Sequence, residues 1–102
     1  MCINCEGGGQ NLAVATKQVD DERVRITRYD FAPGSETGWH WHEFPYAVVP
    51  LVDGVLRLVD AQGERLAPLS AGVSYSRPAG VEHNVFNAGD GPMAFVEVEM
   101  KA

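Results

Sequence analysis

Past its first eleven residues this chain never repeats its apolar side chains at a helical period. It breaks instead into short runs of β-favouring residues separated by turn residues. Strands are predicted at 23–31, 38–42, 46–52, 55–60, 72–76, 83–87 and 93–100. Asp53-Gly54, Gln62-Gly63 and the stretch 87–92 supply turns, being rich in residues that tolerate or enforce tight backbone geometry. That spacing predicts an all-β sandwich or barrel. Pro50 lacks a ladder donor, which predicts an edge strand or a bulge in the third run. The segment 11–21 mixes Leu12, Val14 and Ala15 with polar residues and reads either as a short strand, pairing with a partner subunit, or as an irregular lead-in.

With 102 residues the chain has room for a single core. The division expected is a flexible tail over 1–11 and one domain over 12–102. Eight Lys and Arg stand against fourteen Asp and Glu, for a net charge of −6, and the basic residues are scattered. Nucleic acid and anionic membrane surfaces are therefore not expected as partners. The longest apolar stretch, 47–52, falls far short of the ~20 residues a membrane helix needs. Residues 1–9 show neither a basic nor an apolar signal region, so a cytoplasmic location is expected. Cys2 and Cys5 form an isolated C-x-x-C without the second pair of ligands that a zinc site requires, and reduced thiols in a frayed tail are the expectation.

The chain has three histidines, His40, His42 and His83. His40 and His42 lie two apart in a predicted strand, so strand geometry puts both imidazoles on one face and turns Trp39 and Trp41 to the other, where packing is expected. Two imidazoles so placed can approach one ion at ~2.0–2.1 Å. A third ligand must come from a distant strand, and His83, after the turn Pro78-Ala79-Gly80, is the candidate. The alternative is a surface His-Trp-His strand and an unrelated His83.

These residues carry a resemblance to the cupin superfamily over about 23–100. The first cupin motif, G-x5-H-x-H-x3,4-E-x6-G, is matched by Gly34, His40, His42 and Gly54. The second, G-x5-P-x-G-x2-H-x3-N, is matched by Gly72, Pro78, Gly80, His83 and Asn87. The block 40–51 also resembles a group of small bacterial one-domain cupins, some labelled β-alanine degradation proteins. The resemblance implies a double-stranded β-helix, or jelly-roll, barrel of two antiparallel sheets, with a metal inside its mouth held by His40, His42 and His83. One departure stands out. Where many cupins place a glutamate ligand, this chain has Ala47 or, in the neighbouring register, Tyr46. A three-histidine site follows, whose uncharged ligands leave a divalent ion its full charge and an affinity for anionic or chelating oxygen ligands.

Few other acids could fill the gap. Glu43 and Glu82 adjoin histidines, so alternation turns them away, although the corner at 43–45 could redirect Glu43. Glu97 and Glu99 share a face of the last strand with Met93 and Phe95, and for charged residues the solvated placement is expected. Tyr46, Glu43 and Asn87 are the candidates for hydrogen bonding behind the ligands. Arg77 could meet a carboxylate at the rim, with surface placement expected.

Imidazole suits iron, zinc, nickel and copper alike. The resemblance to three-histidine thiol and diketone dioxygenases implies iron(II) and a small chelating or anionic substrate. The alternatives are a non-catalytic metal-dependent binding domain and a metal-free isomerase or epimerase using histidine as a base; the last needs basic residues that this acidic chain mostly lacks. Exposed sheet edges predict a homodimer.

Overall fold

A computed structural model describes residues 11–102. Residues 1–10, which include Cys2, Cys5 and nearly all of the expected tail, lie outside the described residues. Nine strands follow: β1 Val14–Asp20, β2 Val24–Phe31, β3 His40–Trp41, β4 Tyr46–Pro50, β5 Gly54–Asp60, β6 Gly63–Leu69, β7 Tyr75–Arg77, β8 Glu82–Asn87 and β9 Met93–Met100. They form a five-stranded sheet in the order β1-β2-β9-β4-β7 and a four-stranded sheet in the order β3-β8-β5-β6. The described pairings between these strands are all antiparallel. The predicted jelly roll is what forms, and no described helix is long and apolar enough to cross a membrane.

The last strand organises the larger sheet. β9 is flanked by β2 and β4, and its alternate residues Met93, Phe95, Glu97 and Glu99 are buried on one face. Phe95 stands opposite Tyr29 on one neighbour and Pro50 on the other, with its ring 5.4 Å from that of Phe31 and 5.5 Å from that of Tyr29. Leu56 and Val85 reach in from the smaller sheet to close a core with Phe31, Tyr46, Val48, Met93 and Phe95. Each large apolar side chain removed from water this way contributes ~1.5–3 kcal/mol before chain entropy is set against it.

Several expectations are corrected. Of the two readings of 11–21 the short strand is the one that forms, as β1, and it pairs with β2 of its own chain. Pro50 marks neither an edge strand nor a bulge, because β4 lies between β9 and β7 in unbroken register with β9. The proline is tolerated because Leu51 N–H donates to Ala94 O, which puts the Pro50 nitrogen on the opposite side, where pairing with β7 has already ended at Val48. β6 lies outside the predicted strands. It is the second arm of a hairpin that turns between Asp60 and Gly63, and as an edge strand it accommodates Pro68 and exposes most of its side chains. The strand predicted at 72–76 begins only at Tyr75. Trp39 and Trp41 are 52% and 60% exposed rather than packed, since β3 is a two-residue edge strand whose outer face nothing among the described residues covers.

Candidate metal centre

Two local devices aim the histidines. β3 pairs with β8 so that His40 and His83 are direct cross-strand partners. The ladder then continues past β3: His42 N–H donates to Val81 O and Gly80 N–H donates to His42 O, each at 2.8 Å. Gly80 makes that bond at φ 95°, a left-handed conformation that a side chain would strain. At the other end Gly38, at φ 86°, gives its N–H to Asn84 Oδ1 at 3.0 Å and presents its carbonyl 2.9 Å from His40 Nδ1. A carbonyl only accepts, so that bond places the proton on Nδ1 and leaves His40 Nε2 with a free lone pair.

The three Nε2 atoms converge. His42 Nε2 is 3.0 Å from that of His40 and 3.3 Å from that of His83, and one ligand atom from each of the three residues falls within 4.8 Å of the others. Nitrogens bound to one ion at ~2.0–2.1 Å lie about 2.9–3.4 Å apart for bond angles of about 90–110°. The spacing therefore fits a shared ion, and three neutral nitrogens with no carboxylate among them fit a divalent transition metal. Burial first, and then the neighbouring His40, pulls His42 and His83 down to about 4, so both rings are unprotonated and available as ligands near neutral pH.

Behind the ligands the sequence was partly misleading. Tyr46 is buried and stacks on the His42 ring at 3.9 Å, fixing its plane. Burial pushes its phenol well above its ordinary value, so it remains a proton donor. Glu43 is exposed and outside the histidine group. Asn87 is a structural residue rather than a partner of the ligands: its amide donates to Phe31 O, Ala32 O and Gly91 O and accepts from Gly89 N–H, tying two loops together.

The carboxylate that does face the site is Glu97, expected in solvent but only 6% exposed, with Oε1 3.8 Å from His42 Nδ1. Its neighbour Glu99 is also buried, which overturns the same expectation. Glu99 is neutralised by a two-pronged bond to Arg25 at 2.7 and 2.8 Å, directly opposite on β2. Among the described residues Glu97 has no such cation. Burial, reinforced by the charge on Glu99, raises it to about 7, while His42 is held neutral, so their contact is not an ion pair near neutral pH. The signal was present in the sequence: Glu97 alternates in step with Met93 and Phe95, and the sheet that buries those two buries it as well.

The fold and the site define a small jelly-roll protein with a three-imidazole centre. Residues 27–99 match the cupin domain family, and the chain belongs to it. It is 54% identical over 93 residues to the β-alanine degradation protein BauB of Pseudomonas aeruginosa, covering 91% of this chain and 98% of that one. A cupin domain from Bordetella pertussis superposes with a TM-score of 0.87 at 50% identity, covering 89% and 95% of the two chains. A double-stranded β-helix cupin from Methanocaldococcus jannaschii, at 19% identity, TM-score 0.73 and coverage of 88% and 81%, shares the fold alone.

Proposed function

We propose that this protein is a metal-dependent cupin enzyme of the dioxygenase type, acting on a small chelating or anionic molecule at His40, His42 and His83. The observation that carries the reading is the convergence of three imidazole nitrogens, with no carboxylate in the group, beside a cavity of about 360 Å³. The name of the Pseudomonas relative connects that protein to β-alanine degradation, which agrees with a small-molecule substrate. A divalent ion, iron(II) foremost, would supply Lewis acidity and redox reactivity toward oxygen.

The chain's own contributions are distinct. Gly38 fixes the tautomer of His40, and Tyr46 fixes the plane of His42. Apolar side chains from both sheets, among them Val48, Leu56, Val85 and Phe95, line the cavity and limit water near the centre. Glu97, raised to about 7, can hold or release a proton beside His42 near neutral pH. As bases for an isomerase, His42 and His83 are weak, with values of about 4.

The test is metal analysis of the purified and anaerobically iron-loaded protein, followed by oxygen uptake with small oxo-acids, diketones and thiols. About one metal ion per chain is expected, and His83→Ala should lose it, because two imidazoles make an inadequate set. A wild-type protein that retains no metal after loading would sink the reading. Retention without oxygen uptake would reduce it to metal-dependent binding.

A further inference from the structure

The cavity that His83 lines also carries two guanidiniums, Arg77 at the end of β7 and Arg65 on β6. This is notable in a chain of net charge −6. β7 and β6 are edge strands of different sheets, and a second, more open groove is bordered by both arginines again, with Leu58 and Tyr75. Arg65 and Arg77 therefore stand where the inner cavity meets the outer groove. Among the described residues neither is ion-paired to a carboxylate, whereas Arg25, Arg28 and Arg57 each are.

The acids of the same cavity are otherwise engaged. Glu82 accepts the Trp39 indole N–H at 2.8 Å, and Asp60 accepts the Gln62 backbone N–H at 2.9 Å. Glu97 lies behind His42, with Oε1 3.8 Å from Nδ1. Arg77 is half-buried, its guanidinium 5.9 Å from the centre of the Tyr75 ring, where fewer waters compete for its donors. The remaining wall is largely apolar, with Leu58 and Phe95 among its members.

We propose that Arg77, assisted by Arg65, binds the carboxylate of a short-chain acid whose opposite end reaches His40, His42 and His83. The second half of this statement rests on the metal-centre reading; the first does not. A guanidinium presents parallel N–H donors that match the two oxygens of a carboxylate, and an unpaired, partly desolvated one favours an anion over a neutral isostere. Specificity would then come from the distance between two polar ends separated by an apolar wall.

Calorimetric titration of the zinc-loaded and the metal-chelated protein with 3-hydroxypropionate and with 3-hydroxypropionamide tests this, alongside NMR of the arginine side-chain N–H signals. The wild type is expected to bind the acid about 10-fold or more tightly than the amide, and the acid to shift the Arg77 signal. Arg77→Gln should erase the preference, Arg77→Lys should keep part of it, and Arg65→Gln should weaken it less, with circular dichroism reporting the fold of each. Equal binding of acid and amide by the wild type, unchanged acid affinity in a folded Arg77→Gln protein, or tighter binding of inorganic phosphate would overturn the assignment. Acid-dependent shifts of Arg77 that persist in a protein unable to hold metal would uphold the arginine site while the metal reading fails. Metal held at one ion per chain without a preference for the acid would do the reverse.

Discussion

Glu97→Gln isolates the energetic consequence of burying a carboxyl group without a cation. In the folded chain Glu97 is raised from 4.5 to about 7. Below its unfolded value the group is protonated in both states and contributes no pH dependence. As pH rises through 4.5 the unfolded chain releases the proton first, so folding is progressively disfavoured, and the effect levels off above the folded value of about 7. A tenfold difference in proton affinity between the two states is worth about 1.4 kcal/mol, and Glu97 loses roughly 2–3 kcal/mol between about pH 4.5 and pH 8 on that scale. Part of this loss is masked in the wild type, because His42 and His83, lowered from 6.5 to about 4, make stability rise with pH between those values. Glutamine keeps the shape and removes the titration, so the difference between the two proteins cancels the histidine contribution. Urea unfolding of both metal-free proteins, followed by tryptophan fluorescence across about pH 5 to 8.5, measures it directly. Glu97→Gln should gain on the wild type by about 2 kcal/mol or more across that range. Parallel curves would show that Glu97 titrates as it does in water, and would leave no poised carboxyl beside His42.

Gly54→Ala should destabilise the fold by about 1–3 kcal/mol, because the added Cβ would meet Met93 Sδ at 2.6 Å and Met93, 2% exposed, has little room to retreat. Thermal or denaturant unfolding reads this, and a neutral result would mean that the Met93 side chain repacks freely. Asn87→Ala should cost at least about 2 kcal/mol by leaving buried loop carbonyls without donors, while metal content per folded chain stays that of the wild type, as expected of a residue whose hydrogen bonds go to Phe31, Ala32, Gly89 and Gly91. Loss of metal from a folded Asn87→Ala protein would return the residue to the site.

Much of this was legible in one dimension because strand geometry is periodic. The two-residue spacing of His40 and His42 put both rings on one face, and the motif spacing around His83 supplied the third. Alternation also tied Glu97 to Met93 and Phe95, yet the general preference of charge for water pointed the other way. The fold bears the cost of burial, which surfaces as a raised pKa at Glu97 and a two-pronged ion pair at Glu99. Alternation failed differently at Trp39 and Trp41: it says which residues share a face but not whether anything covers that face, and β3 is too short and too near the edge to be covered. The strand β6 leaves no such pattern because an exposed edge strand needs no apolar face.

By itself, then, the order of residues determined an all-β sandwich or barrel, its turns and the shared face of His40 and His42, since these depend on local conformational preference and on repeats of two; the jelly roll and the place of His83 beside them were implied by the motif resemblance. Only the tertiary structure decided that Tyr46 stacks on His42, that Asn87 binds loops rather than ligands, that Glu97 faces the centre without a cation, and that Arg65 and Arg77 from different sheets line one cavity. Those facts depend on which strands become neighbours and how deeply each is covered, and both are set by the closure of two sheets around one core rather than by any local run of sequence.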